Sequence, residues 1–336
     1  ETINPMIHEM CRSIHLPENQ IYRMCVASNT TMNHLFAGIN ADYLRTEPYI
    51  PAFFKTNSLF ASDVGIEING DAHIIMAPNI GSYVGGDITA GTLVSMIWNR
   101  PEFSLFIDLG TNGELVFGNS DFMMSCACSA GPAFEGGNIS CGMPGVPGAV
   151  CRAVLFGKNN MVTKTIGNKP AIGLCGTGII DVMYELVRHH IVDTQGILGE
   201  PWFEKGFPVV PGKIYFTQED IRQVQMAKAA ICAGLEVLLQ KSNISHEQIK
   251  KVYVAGGFGM GLDMEKALGI GLLPIGLRGK LTPVGNSALE GAARCLTHSK
   301  ESSDMQPQEI AAISHEINLA DTPEFQELYL KHMQFC

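Results

Sequence analysis

The stretch Phe106-Ile107-Asp108-Leu109-Gly110-Thr111-Asn112-Gly113-Glu114 constrains the fold more than any other in the chain. A short apolar strand, 104–108, ends in a carboxylate and turns at once on glycine, and 114–118 reads as its returning strand. The backbone N–H groups of such a turn can form an anion-binding concavity. Asp108 can hold a hydrated Mg²⁺ beside phosphates, because that ion keeps most of its waters and takes one or two protein oxygens. The competing reading is a plain hairpin in which Asn112-Gly113 supplies positive φ. From this stretch alone the two readings stand level.

The same punctuation recurs. The chain has 36 glycines, many of them clustered beside apolar runs, where backbone must pass close to something. Val252-Tyr253-Val254-Ala255 is a buried strand ending in Gly256-Gly257-Phe258-Gly259, and such an end lets backbone lie flat against a planar ring such as adenine. Its bland reading is a tight strand-to-helix turn. Gly176-Thr177-Gly178 opens a helix and offers N–H groups and a positive dipole end to an anion, or Thr177 is simply an N-cap. Gly85-Gly86-Asp87 opens another helix, with Asp87 either a catalytic carboxylate or a cap. Lys228 lies on a long helix that starts at the capping pattern Thr217–Asp220, and a lone helical lysine ordinarily faces solvent. No Walker G-x-x-x-x-G-K-[ST] occurs, and no strand runs into a dinucleotide G-x-G-x-x-G fingerprint.

Periodicity fills in the rest. Helices are predicted over 1–16 (apolar at Ile3, Met6, Ile7, Met10 and Ile14), 32–38, 88–98, 179–187, 217–241, 287–296 and 324–333. Strands are predicted over 24–27, 74–76, 122–127 and 149–156. Residues 45–63 and 195–217 read as irregular because of their prolines. The alternation places the chain in the α/β class.

Charge and cysteines set limits. The formal net charge is −10 with no basic run, which disfavours a nucleic-acid partner and a polybasic membrane anchor. No apolar run reaches the roughly 18–20 residues needed to span a bilayer. The ten cysteines contain no C-x-x-C pair and one close pair, Cys126 and Cys128. With no export signal, the expectation is a reducing cytoplasm and thiols that serve as small buried apolar groups, without an iron–sulfur or zinc site built from this chain alone.

In sequence order, the Gly-Gly-Asp helix, the D-L-G-T-N-G-E hairpin, the C-G-T-G turn, the capped lysine helix, the V-A-G-G-F-G turn and the S-A-L-E-G-A-A helix resemble the superfamily of acetate and sugar kinases, heat-shock ATPases and actin. Within it, N-T-T-M-N-H-L-F at 29–36, S-A-G-P-A-F-E-G-G-N-I-S-C-G-M at 129–143, G-L-C-G-T-G-I-I-D at 173–181 and D-T-P-E-F-Q-E-L-Y near the end resemble the reductive activators of corrinoid-dependent methyltransferases. The resemblance covers essentially the whole chain.

The resemblance implies an actin-like ATPase fold of two lobes. Residues 1–102 would be the remainder of the first lobe, 103–284 the second lobe with the phosphate and adenosine loops, and 285–336 C-terminal helices returning toward the first lobe. Asp108, Gly110, Thr111, Asn112 and Gly113 would form the second phosphate loop. Gly256, Gly257 and Phe258 would line the adenosine site. Gly176, Thr177 and Lys228 would be further nucleotide contacts, with Asp87 and the 287–293 helix as connecting segments. The cofactors implied are ATP and Mg²⁺, and the partner is a corrinoid protein whose cobalt is returned from Co(II) to Co(I) in one-carbon metabolism. In that family the electron comes from an N-terminal 2Fe–2S domain, which is expected to lie outside this stretch together with a linker and a first phosphate loop. A first lobe lacking that loop would expose apolar surface, so a homodimer is a further expectation. Three alternatives stay open: a small-molecule kinase with Asp87 as base, an activator of 2-hydroxyacyl-CoA dehydratases, and a non-catalytic docking module for a corrinoid protein. Within 129–143, Glu135 either aids Mg²⁺ or caps a neighbour.

Overall fold

The structure is a computed structural model that describes residues 2–56, 59–297 and 307–335. Along the first hundred residues come α1 (Ile3–Ile14), β1 (Arg23–Val26), α2 (Thr30–Phe36), β2 (Leu59–Phe60), β3 (His73–Met76) and α3 (Gly86–Ser95). The middle carries β4 (Ser104–Leu109), β5 (Gly113–Gly118), β6 (Met123–Cys128), β7 (Ala149–Phe156), β8 (Asn160–Thr165), β9 (Gly173–Leu174), α4 (Gly176–Arg188), β10 (Phe207–Val210), β11 (Ile214–Phe216) and α5 (Gln218–Ser242). Then follow β12 (Lys251–Ala255), α6 (Gly257–Gly261), α7 (Met264–Gly269), β13 (Leu281–Gly285), α8 (Ser287–Thr297), α9 (Pro307–Ile313), β14 (Ser314–Glu316) and α10 (Pro323–His332). No helix among the described residues is long and apolar enough to cross a membrane.

The chain divides into two compact units. The first is 1–101 with 118–125 and 286–316; the second is 102–117 with 126–285 and 317–336. The C-terminal helices are therefore shared between the units. α8 and α9 join the first, whereas α10 packs on α5 in the second, so the expectation that all of 285–336 returns toward the first lobe is corrected.

In the first unit β1 and β3 pair in parallel, β2 closes on β3 antiparallel, and Ile7, Cys11, Ala61, Ala72, Ile74 and Met76 form the core beneath them. α1 buries Ile7 and Cys11, one turn apart, while Met6, Met10 and Ile14 of the predicted stripe are more than half exposed. Helices α3 and α8 cross at near backbone contact, because a side chain at Gly291 would sit 2.3 Å from the Ala90 carbonyl. The N-T-T-M-N-H-L-F segment has a structural explanation. Asn29 caps α2, Asn33 bridges Asn79 (2.7 Å) and the Ala77 carbonyl (3.3 Å), and the buried His34 ring stacks on Phe53.

The main sheet runs β13-β12-β4-β5-β6-β14, with β12 parallel to both β4 and β13 and β14 parallel to β6. A smaller sheet, β8-β7-β9, and the hairpin β10-β11 complete the second unit. The carboxylates of α4 dock on β7. Asp181 accepts the Ala153 N–H (3.0 Å), Glu185 accepts the Leu155 N–H (3.2 Å), and Lys266 neutralises both at 3.1 and 3.4 Å. α5 starts at the predicted capping box, in which Asp220 accepts from Thr217 and also from the N–H (2.6 Å) and hydroxyl (2.7 Å) of Ser140. That pair of bonds fastens the 129–143 loop to the head of the helix.

Candidate functional site

Parallel pairing decides where the site lies. Asp108 of β4 is in register with Ala255 of β12, and Ala255 with Gly285 of β13. Three strands thus deliver their C-terminal ends to one edge of the sheet, the edge at which open α/β sheets bind ligands. Around Asp108 the Gly110–Gly113 turn and the Gly256–Gly257 turn come together. A side chain at Gly256, whose φ is +93°, would approach Asp108 Oδ1 to 3.2 Å and the Leu109 carbonyl to 2.8 Å. The second turn runs straight into α6, and a side chain at Gly261 would meet Thr177 Cγ2 at 3.1 Å. The start of α4 is therefore beside α6. Three of the glycine turns singled out in the sequence converge in one unit.

The reasons these positions are glycine differ. Asn112 and Gly113 do not take positive φ, so the plain-hairpin reading does not account for them. Gly113 is glycine because a side chain there would run into Ile231 of α5 at 2.6 Å. Gly110 and Gly257 have neither reason. Among the described residues, a side chain at Gly110 would meet nothing closer than 3.9 Å and one at Gly257 nothing within 4 Å, and φ is not positive at either. Gly110 lies two residues after Asp108 and Gly257 follows Gly256, which approaches its carboxylate; among the described residues both leave open space above backbone.

The turn has a further carboxylate that the sequence left undecided. Glu135 accepts the Thr111 hydroxyl, and its other oxygen would lie 3.9 Å from a side chain at Gly110. Its loop is held by buried Phe134 and by the close passage of Gly136 against Met143. The signal for Glu135 was the A-F-E-G-G run itself, but only the fold brings it to Thr111.

At the start of α4 the N-cap is Cys175, which makes no side-chain capping bond. Thr177 is not the cap; its hydroxyl donates to the Cys151 carbonyl (3.0 Å). The first-turn N–H groups of this thirteen-residue helix are thus left uncapped by side chains. The side chain of Phe258 lies outside the described residues.

Lys228 is placed elsewhere. It is 1% exposed, not solvent-facing, and its ammonium donates to the carbonyls of His332 and Gln334, both at 2.6 Å, above the Phe335 ring. Those carbonyls and that ring, at and just beyond the end of α10, are among the partners that hold its charge. Asp87 belongs to the first unit, where Gly85 rather than Asp87 caps α3. Its carboxylate accepts the Ile88 N–H (2.9 Å), and burial pushes its pKa above the ordinary aspartate value. Beside it the Gly85 backbone touches Asn29 and Thr30 so closely that a side chain would come within 2.5 Å.

Comparison with known proteins agrees with this architecture. Residues 102–336 match the family described as the C-terminal domain of RACo, the ASKHA domain, and residues 1–100 match the RACo middle region. The chain is 31% identical over 359 residues to the corrinoid activation enzyme RamQ of Eubacterium limosum, covering all of this chain and 60% of that protein. It is 26% identical to the [Co(II) methylated amine-specific corrinoid protein] reductase of Methanosarcina barkeri, covering all of this chain and 66% of that one. A solved reductive activator for corrinoid, iron–sulfur protein superposes with a TM-score of 0.88 at 38% identity, over 99% of this chain and 56% of that one. The chain thus spans well under two thirds of the length of RamQ and of the solved activator. It belongs to the RACo family, an actin-like α/β ASKHA domain preceded by the family's middle region.

Proposed function

We propose that this chain is the ATP-binding portion of a reductive activator that returns a corrinoid protein's cobalt from Co(II) to Co(I). The observation that carries the nucleotide assignment is the pair Gly110 and Gly257, two glycines in the turns around Asp108 that, among the described residues, neither φ nor packing requires. Bare backbone facing open space is what close approach of a ligand demands. In this reading the Gly110–Gly113 turn and the uncapped start of α4 present N–H groups to phosphate oxygens. The flat Gly256–Gly257 backbone takes the adenosine. Asp108, with Glu135 fixing Thr111, would hold Mg²⁺ through water; the ion would neutralise phosphate charge. Reduction of Co(II) takes one electron, supplied by the 2Fe–2S domain that the family resemblance implies. The nucleotide's part is to bias which arrangement of the activator docks the corrinoid protein, which makes the uphill transfer accessible.

The test is isothermal titration of the chain with Mg-ATP and a non-hydrolysable analogue. Binding in the micromolar range, about −8 kcal/mol, is expected, with at least a tenfold loss in Asp108→Ala. Equal affinity in the variant would remove Asp108 from the site. Absence of binding, both here and with upstream sequence restored, would remove the nucleotide assignment altogether.

A further inference from the structure

One cluster in the second unit has no part in the nucleotide reading. Lys228, Cys232 and Glu236 follow one another at four-residue spacing along α5, and so share one face of the helix. The neighbouring faces are occupied: Ile231 packs on Gly113, and a side chain at Gly234 would lie 2.3 Å from Cys128 Sγ. Helix α10 lays its last residue, His332, on the Cys232–Glu236 stripe. The Cys232 sulfur, a Glu236 carboxylate oxygen and a His332 ring nitrogen all lie within 4.8 Å of one another. Cys232 is only 2% exposed, and His332 Nε2 is buried with no hydrogen-bond partner. A covered imidazole nitrogen left unmatched beside a thiol and a carboxylate is a feature that ordinary packing avoids.

The surroundings are ordered for ligation. His246 Nε2 bonds Glu236 Oε1 at 2.9 Å, orienting the carboxylate in the way outer-shell partners orient metal ligands. Lys228, one turn before Cys232, directs its ammonium at the His332 and Gln334 carbonyls, so the segment that carries the imidazole is pinned in place. A groove of about 390 Å³, lined in part by Glu236, Asn243, Ser245 and His246, borders the Glu236 side of the cluster. The chemistry is selective: a thiolate with an imidazole suits Zn²⁺ and Co²⁺, whereas Mg²⁺ and Ca²⁺ take oxygen-only sets. Metal–ligand bonds of about 2.0–2.3 Å bring tetrahedral ligand atoms about 3.3–3.7 Å apart. The 4.8 Å bound exceeds that spacing by roughly 1–1.5 Å, so binding would draw the three side chains together.

We propose that Cys232, Glu236 and His332 bind a zinc-class divalent ion that ties α10 to α5, with His246 as the positioning residue for Glu236. Binding releases the thiol proton to solvent, since the thiolate is the ligand. No C-x-x-C spacing announces the site, because its ligands lie one helical turn apart on α5 and about a hundred residues away on α10.

The test is optical titration of the full chain with Co²⁺ in the absence of nucleotide, followed by displacement with Zn²⁺. One equivalent of Co²⁺ should give a thiolate-to-cobalt charge-transfer band that Zn²⁺ abolishes and that survives in Cys151→Ser. The band should vanish in Cys232→Ser, and affinity should fall more than tenfold in His332→Gln and roughly 10–100-fold in His246→Ala. Zn²⁺ should also raise the thermal midpoint of the wild type and leave that of Cys232→Ser unmoved. No band in the folded wild type, or an unchanged band in Cys232→Ser, would overturn the site. Should the serine or glutamine variant fail to fold, near-isosteric Glu236→Gln decides: undiminished affinity there also overturns it.

Discussion

Gly257 and Gly113 flank the same carboxylate, yet one faces space and the other faces a helix. Among the described residues a methyl group at Gly257 meets nothing within 4 Å, at a backbone conformation any residue can adopt. Gly257→Ala should therefore keep or slightly raise stability, by about 0.4–1 kcal/mol, while weakening Mg-ATP binding at least tenfold. Gly113→Ala should do the reverse. Its methyl would press into Ile231 at 2.6 Å, and overpacking of that kind costs about 1–3 kcal/mol. Urea denaturation and nucleotide titration of both variants check the pair. Full nucleotide affinity in Gly257→Ala would mean that the open space beside Asp108 is not where the ligand lies. The glycine turns after β4 and β12 and the helix that starts at Gly176 were legible at this scale because short motifs carry them. The fate of Lys228 was not, because its partners are main-chain carbonyls 104 and 106 residues away, which no local pattern reports.

Among the elements, α5 is the most fully specified by sequence. Its capping box was visible at Thr217–Asp220, but Asp220 does more than cap. It is 1% exposed and accepts four hydrogen bonds, two from Thr217 and two from Ser140. A simple cap is worth about 1 kcal/mol, and stranding buried donors costs about 1–3 kcal/mol. Asp220→Ala should accordingly lose about 3 kcal/mol in urea denaturation, and Thr217→Ala nearer 1 kcal/mol. Equal losses would show that the Ser140 bonds contribute nothing. The elements that sequence reading missed share physical causes. β10 contains Pro208, which reads as a breaker although the strand lies at the end of its sheet's order, where a missing N–H is tolerated; β13 carries Pro283 in the same kind of position. β8 alternates exposed and half-buried residues with no fully buried position, so it lacks the apolar run that marks a core strand. The α1 stripe marks a helix that is present, but apolar periodicity does not say which part of it is covered.

At the scale of the whole molecule, the two tryptophans report separately. Trp98 lies in the first unit and Trp202 in the second, where it packs against Phe207. With Trp98→Phe and Trp202→Phe as single-tryptophan proteins, Mg-ATP at a hundredfold over its dissociation constant should stabilise the unit that binds it by about 2.7 kcal/mol. The denaturation midpoint read by Trp202 should rise. Equal shifts at both reporters would mean that the units unfold as one, whereas a shift at Trp98 alone would move the nucleotide out of the second unit. The α/β class and the actin-like family were readable from motif order, because each glycine turn keeps its place along the chain. The interleaving of the units was not, since it depends on where 118–125 and 317–336 pack rather than on what they spell.

The grip of Lys228 on the end of α10 also bears on the order of synthesis. A ribosome completes α5 and then makes the rest of the second unit's sheet and the 286–316 segment of the first before it reaches the carbonyls of His332 and Gln334. At about 5–20 residues per second, the ammonium waits on the order of 5–20 s for its acceptors. Until then it stays hydrated, and the face of α5 that will be covered stays open to whatever the nascent chain meets.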